Sequence, residues 1–593
     1  MAVNFFMRRG DWMKWSWLML GLLVSPVVGE AMEKLPRFSG IDLQGKYFES
    51  SRVETPVTVL FFTGTGCPVV RQSIPKLKEI YGKYKRDQVT FVLINTSAED
   101  SLKTIEQEMR ELKVSPVRVL VDDKQALTLG FGVDRTAEVI AIDNRESRLI
   151  YRGAIDDQLT EGAQKPKATE HYLKAALEEF FAGKPVTLAR TQTRGCRITF
   201  EGGKKVSYVR DVAPILEQKC LHCHSEGNIG PFQMSSHGKV KTKARMIEET
   251  IMNRQMPPWH ADTQRGHFLN DMSLTILQTQ NLLTWIQQGS VKDEGEDPLV
   301  AAHAREAKLN MQEWPGGTPD MVVSLPEPQT IPATGVLDYR HFTVKSKFTN
   351  DVWLSGITVR PGNRLVVHHV IVRAKFAGVD DDGSGKGKFM VGWAPGTKVA
   401  KYPENTGRFL GKDAEFDVEV HYTTCGTAQI DQSKIGFYLM ASPPEREIIV
   451  AAPHGTDFVI APNDEDSRTF ATIPVKQDTV IHMMSPHMHL RGSWMKYEAL
   501  YPNGKRELLL SVPRFDFNWQ TDYQLKEPKT IPAGSWMLVT GGFDNSKKNH
   551  HNPDPNKRVT WGIQSFDEMF MGFMDVVVSK APKQTRTAAV SQP

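Results

Sequence analysis

The chain has 593 residues, 40% of them apolar and 24% charged, with a formal net charge of +4. That is globular material for about four domains, and it excludes a disordered or membrane-embedded chain. So small a charge, with no denser basic stretch than Lys239 to Arg245 (a solvated helix face), also excludes a nucleic-acid partner.

The N-terminal segment has the form of an export signal. Arg8, Arg9 and Lys14 precede the run WSWLMLGLLVSPVV, which is short for a bilayer span and is followed by the small residues Gly29 and Ala31. Residues 1–31 are expected to be a signal peptide, giving a periplasmic or otherwise exported protein with no stable membrane insertion after cleavage. Left uncleaved, the same run would be an anchor.

Residues 36–190 alternate strand and helix. VTVLFF (57–62) reads as a buried strand, followed by a Gly-rich turn carrying Cys67 and an amphipathic helix over 69–84. VTFVLINT (89–96) is a second strand, then a helix falls near 100–113, a hairpin from AEVIAID and RLIYRGAI, and a helix near 168–182. This order predicts a mainly parallel sheet covered on both faces. Cys67 sits after a strand and before a helix, where the helix dipole favours a thiolate.

Residues 197–300 read as helical and contain CLHCH, residues 220–224. C-x-x-C-H is the attachment signature of a c-type haem, with Cys220 and Cys223 reaching the porphyrin and His224 under the iron. A zinc site would need a second pair of ligands at finger spacing, and none follows. A dithiol would follow a strand, whereas DVAPILEQK before this motif reads as helix. The best second axial ligand is Met256 in RQMPPWHAD, whose thioether suits electron transfer. His260 and His237 are its rivals. The apolar stripe from Ser273 to Gln288, with Gly289 after it, predicts a closing helix.

From about residue 318 the pattern changes to short alternating runs separated by Gly and Pro, which predicts two antiparallel sandwiches. Histidines fall on these strands: His368 and His369 are adjacent, His421 lies in VEVHY, and His487 and His489 are two apart. Residues two apart face one side and can hold one metal, whereas adjacent ones share a metal only through a bulge or different ring nitrogens. Three imidazoles favour Cu, Zn, Fe or Ni, and two imidazoles with a thioether favour copper. No H-E-x-x-H motif marks a hydrolytic zinc site.

Three resemblances follow from these residues. The first segment resembles a thioredoxin-like, redoxin-type domain. It departs from that pattern at Val70, where a C-x-x-C would place its second Cys, and at Ala137, where such folds place a cis-proline. Gly64 likewise stands where a peroxiredoxin T-x-x-C would have Thr. These departures favour a structural or docking role, with a relay between Cys67 and Cys196 as the alternative. The second segment resembles small cytochrome c domains. The last, from Pro319 to Val578, resembles the copper type II, ascorbate-dependent monooxygenases, the family of peptidylglycine hydroxylases and dopamine β-hydroxylases, with HHVIV, HYTT, HMHLRG and DEM in the family's order.

The expected fold is therefore multidomain: an α/β thioredoxin-like domain (36–190), an all-α cytochrome c domain (197–300) and two all-β sandwiches of jelly-roll type (316–447 and 448–582). The resemblance implies two coppers, one on His368, His369 and His421 and an oxygen-activating one on His487, His489 and Met569, with Met571 the less favoured thioether. It implies hydroxylation of an aliphatic C–H bond of a small molecule by O2, with ascorbate or a periplasmic electron donor; the haem c expected on CLHCH would add an internal electron source. Ser485 replaces the Arg that holds a peptide carboxylate, and Met571 and Phe573 replace Asn and Tyr, so peptide amidation is not expected. Cys425 is the sole cysteine of this half, so the disulfides of the animal enzymes are missing. Two other readings remain: a non-enzymatic electron-transfer or copper-binding protein, and a thiol-based peroxidase or oxidoreductase acting through Cys67.

Overall fold

The β-branched and apolar run Val57–Thr63 forms a strand buried along its whole length, at the centre of the first of several layers in a computed structural model. The structure describes residues 33–578 except 85–86, 161–162, 203–204, 227, 313, 315, 336, 379–385, 395–396 and 398–399. The expected signal peptide, 1–31, lies outside the described residues. Among the described residues no helix is long and apolar enough to cross a membrane.

The first layer is a seven-stranded sheet in the order Tyr47–Glu49, Ser39–Asp42, Arg118–Val121, Val89–Asn95, Val57–Thr63, Val139–Asp143, Arg148–Gly153. Side chains alternate between its faces. Val57, Val59 and Phe61 pack with Ile74 and Leu77 of the helix Pro68–Lys83 and Leu173 and Leu177 of Tyr172–Phe181. Leu60 and Phe62 pack on the other face with Phe38, Leu127 and Phe131. The expectation of a mainly parallel sheet is corrected: only the pairings among Val57–Thr63, Val89–Asn95 and Arg118–Val121 are parallel. Parallel neighbours need a crossover, and only the helices Pro68–Lys83 and Leu102–Glu111 supply one here. Hairpins at both flanks add antiparallel strands.

Between residues 208 and 311 every described regular element is helical: the π turn Tyr208–Val212, then Ala213–Lys219, His237–Lys241, Ala244–Met252, Ile276–Gln287 and Pro298–Met311. This segment is docked on the first. Met252 is fully buried within the redoxin-side core beside Leu127 and Phe131. Around it Tyr47 donates to the Asn253 carbonyl (3.1 Å), Arg254 pairs with Asp123 (2.6 Å) and Gln280 donates to Gln125 (2.6 Å). Met252→Ala is expected to lower stability by about 2–5 kcal/mol through the cavity left behind, read as an earlier denaturation midpoint. An unchanged midpoint would mean that the two segments share no core.

The remaining chain is β-structure in two sandwiches. In the first, Met321–Ser324, Lys434–Leu439, Val352–Arg360 and Thr406–Leu410 pack against Arg340–Lys345, Glu415–Tyr422, Val367–Lys375 and Lys388–Trp393. In the second, Arg446–Ala451, Phe570–Val578, Thr479–Met488 and Tyr523–Ile531 pack against Ser467–Pro474, Trp536–Phe543, Gly492–Leu500 and Arg506–Val512. One sheet of each joins the other through parallel pairing of Thr406 and Gly407 with Arg446 and Glu447. Trp259, Ala261 and Phe268, from the helical segment, enter the core of the second sandwich, with the Trp259 ring edge-on to Tyr523 at 5.0 Å.

Candidate functional site

His368 and His369 are adjacent, so a regular strand would point them apart. The pairing of Val367–Lys375 with Glu415–Tyr422 runs in register up to His369 opposite His421, then slips so that Val367 faces Tyr422. His368 is the extra residue of a β-bulge, and a bulge re-aims the side chain it carries. Ligand atoms of His368, His369 and His421 consequently lie within 4.8 Å of one another. Nδ1 of His368 and Nδ1 of His369 are 3.1 Å apart. Two nitrogens bound to one ion at about 2.0 Å each would be separated by a similar distance. His369 Nε2 and His421 Nδ1 are buried without a hydrogen-bond partner. Burial, aided by the charge of His368, brings His421 down to about 3, and burial carries His369 well below the usual imidazole range. These rings are therefore neutral at ordinary pH, with lone pairs available to a cation. The donor set fits a metal ion.

His487 lies near the end of the strand Thr479–Met488 and His489 just beyond it, both buried, their rings 5.4 Å apart at 89°. His487 Nδ1 meets Gln520 Oε1 at 2.6 Å, and His489 Nδ1 meets the Asp567 carbonyl at 3.3 Å. Acceptors at Nδ1 fix the tautomer that leaves Nε2 bare, and His489 Nε2 is buried and unpartnered. Burial holds His487 down at about 4. On the neighbouring strand Met571 stands opposite His487 and Phe570 opposite Met488. Met569 comes just before that strand and is buried in a cluster with Met571 and Phe573.

Glu568 braces this corner. Its buried carboxyl accepts the backbone N–H of His489 (2.9 Å) and of Arg491 (2.6 Å). Burial pushes its carboxyl up to about 8, against the pull of those two donors and of Arg491.

The two histidine sets face a common space. Phe517 lies 5.7 to 6.0 Å from the rings of His368, His369, His421 and His489, and Tyr339 lies 4.7 Å from His421 and 6.4 Å from His489. The segment that carries Phe517 also meets His368 Nε2 through Asn518 Oδ1 (3.2 Å) and His487 through Gln520. Sequence reasoning missed Tyr339, Phe517, Asn518 and Gln520. They sit in irregular segments with no fixed spacing to the histidines, and the run FDFNWQTDY offered only an unusual density of aromatic and amide side chains.

In CLHCH, Cys220 ends the helix Ala213–Lys219 and its carbonyl accepts the N–H of Cys223 (3.1 Å) and of His224 (2.9 Å). His224 Nδ1 is 2.9 Å from the Phe232 carbonyl, which leaves Nε2 free to ligate. Gly230 is required there, because a Cβ would come within 2.5 Å of the Cys223 carbonyl and 2.8 Å of His224 Nδ1. Burial raises Cys220 to about 12 and Cys223 to about 11, the reverse of what a working dithiol needs. The residues fit a thioether-linked haem. Of the axial candidates, His237 is bonded to the Ser290 carbonyl (2.9 Å) and packed against Tyr208 and Trp285. His260 lines a pocket with Asp516, Trp519 and Tyr523 of the second sandwich. Met256 is half-buried.

Cys67 caps the helix Pro68–Lys83, buried, with its sulfur 2.9 Å from that of Cys196. Cys425 is exposed.

Comparison with known proteins bears on the first layer. The Redoxin family matches residues 30–170. The thiol-disulfide oxidoreductase ResA of Halalkalibacterium halodurans is 24% identical over 135 residues, covering 23% of this chain and 75% of that protein. Among solved structures, a hypothetical protein of Sinorhizobium meliloti is 24% identical, covering 28% of this chain and 92% of that one, with a TM-score of 0.26. A secreted Mycobacterium tuberculosis disulfide oxidoreductase is 16% identical, covering 24% and 94%, with a TM-score of 0.19. The N-terminal region is thus a thioredoxin-like domain.

Proposed function

We propose that this chain is an exported oxidoreductase whose β half is a two-copper monooxygenase, hydroxylating an aliphatic C–H bond of a small neutral substrate with O2. Its helical segment would carry one covalent haem c. The observation that carries this reading is the gathering of His368, His369 and His421 on a β-bulge, facing the same space as His487 and His489. Copper held there would supply one-electron chemistry with O2, and the haem one-electron storage, drawing on ascorbate or a periplasmic donor.

The chain's own part is positioning. Gln520 and the Asp567 carbonyl orient the second histidine pair, Glu568 fixes the turn that carries it, and Tyr339 and Phe517 keep water from the space between the sets. Ser485 donates to the half-buried Asp522 (2.7 Å), whose carboxyl desolvation raises to about 6. Ser485, committed to that carboxyl, offers a substrate carboxylate no charge in the arginine's place. Met571 and Phe573, with Phe389 stacked on the latter at 4.7 Å, make the nearby wall apolar. This supports a neutral, apolar substrate.

The test is copper and haem content of the protein matured in a periplasm competent for haem attachment. About two coppers per haem, with O2 uptake coupled to a hydroxylated product, is the expected result. One haem with negligible copper would leave an electron-transfer protein.

A second reading has its own support: thiol-disulfide exchange in the first domain. Likeness to known proteins favours it over the copper reading, through the Redoxin match and the relative named as a thiol-disulfide oxidoreductase. The meeting of Cys67 with Cys196 adds to it. The two activities occupy different domains and can coexist.

A further inference from the structure

We propose that Cys67 and Cys196 form a working dithiol–disulfide pair, in which Cys196 supplies, from a strap beyond the domain's last helix, the second thiol that Val70 denies to a C-x-x-C. The inference rests on reading the redoxin segment as a thiol-exchange unit, and it names that unit's chemistry and its entry point.

After its last helix, Tyr172–Phe181, the chain does not leave the domain at once. The N–H of Thr136 donates to the Cys196 carbonyl (2.9 Å), Arg135 Nη1 to the Gly195 carbonyl (2.9 Å) and the N–H of Ile198 to the Asp134 carbonyl (2.9 Å). Residues 195–198 thus run antiparallel beside 134–136 as a strap. The approach requires glycine at 195, since a Cβ there would overlap the Thr136 carbonyl. The strap lays the Cys196 sulfur 2.9 Å from that of Cys67, which also meets the Thr136 hydroxyl at 3.1 Å. Next to Thr136, Ala137 is held at φ 59°, with its N–H on the Phe62 carbonyl (2.7 Å). A residue with a Cβ is rarely found in that left-handed region, and strain of this kind gathers at functional sites.

The two thiols are unequal. Cys67 is buried at a helix start, and Cys196 is exposed. Burial alone would raise Cys67, yet hydrogen bonds from Cys196, Thr136 and the N–H of Val70 bring it below the usual thiol range, while burial and the neighbouring Cys67 raise Cys196. In the disulfide form Cys196 has no S–H to give, but the Thr136 hydroxyl and the Val70 N–H remain to stabilise Cys67 as the leaving thiolate, and the reachable sulfur is Cys196.

Exchange with a protein dithiol then balances as follows. A partner thiolate attacks the Cys196 sulfur, a partner–Cys196 disulfide forms, the Cys67–Cys196 bond breaks, and Cys67 leaves as a thiolate. The partner's second thiol, passing its proton to Cys67, attacks the mixed disulfide and releases Cys196 as a thiolate, which takes a proton from water. The partner ends as a disulfide and the chain as a dithiol, two electrons having crossed.

The test uses the haem-loaded full chain in a Cys425→Ser background, reduced, exposed to glutathione disulfide, alkylated and mapped by mass spectrometry. The expected result is a Cys67–Cys196 linkage that dithiothreitol releases, with no glutathione retained. Cys196→Ser should instead retain one glutathione on Cys67, and Cys67→Ser one on Cys196. Glutathione lodged on Cys67 of the unsubstituted pair, with no linkage, would overturn the pair while leaving Cys67 an exchanging thiol. Unreactive Cys67 in both the paired protein and Cys196→Ser would overturn the pair and the thiol-exchange reading together.

Discussion

Replacing His421 by alanine is expected to remove about one copper ion per chain and leave the other set loaded. His421 is the sole member of its triad on the strand Glu415–Tyr422, the other two being neighbours on Val367–Lys375. Its loss leaves two adjacent imidazoles and an open side. Removing a group that merely hydrogen-bonds to a ligand costs about 10–100-fold in metal affinity, and removing a ligand itself costs more. His487 and His489 belong to the other sandwich and keep their own partners, Gln520 and the Asp567 carbonyl. Metal analysis and the Cu(II) resonance signal read the change. His341→Ala is the control: that ring is bonded to Asp417 (3.1 Å) on the adjoining strand and should keep full metal content. An undiminished copper content in His421→Ala would mean that the triad holds no ion.

Glu568→Ala should be the most destabilising single change at the site, by about 3–5 kcal/mol. The substitution strands two buried N–H groups, those of His489 and Arg491, beside an Arg491 side chain that is fully buried. Arg491 would keep its side-chain contacts to Asn545 (2.8 Å) and to the Phe566 carbonyl (2.9 Å). Glu568→Gln preserves one oxygen acceptor and should lose less. Denaturation midpoints rank the three proteins, and copper content reports whether His489 remains in place. Equal midpoints would show that Glu568 does not brace the turn.

How much of this was legible in the sequence differs from residue to residue. The spacing His487-x-His489 was readable because strand side chains repeat every two residues, and both rings are found on one side. The pair His368–His369 was not, because a bulge is a property of the partner strand's register, which the local sequence does not encode. The parallel sheet was over-read: the alternation of strand and helix was real, but a hairpin such as Val139–Asp143 with Arg148–Gly153 looks, in sequence, like two more strands of the same series. Cys67 and Cys196 stand 129 positions apart, and only the strap's pairing beside Thr136 brings them together.

The segment that bears Phe517, Asn518 and Gln520 has a thermodynamic consequence. It is one short stretch of chain, yet it bonds to His368 on one side and His487 on the other. An ion that immobilises either ring restricts the same stretch, and the second ion then meets a partner already ordered. If both sets hold copper as proposed, their occupancy is linked, and linkage is reciprocal: whatever factor the first ion changes in the second's affinity, the second returns to the first. On the proposed copper reading, the β half would behave as one binding polynomial with two occupants, not as two independent sites that happen to share a chain.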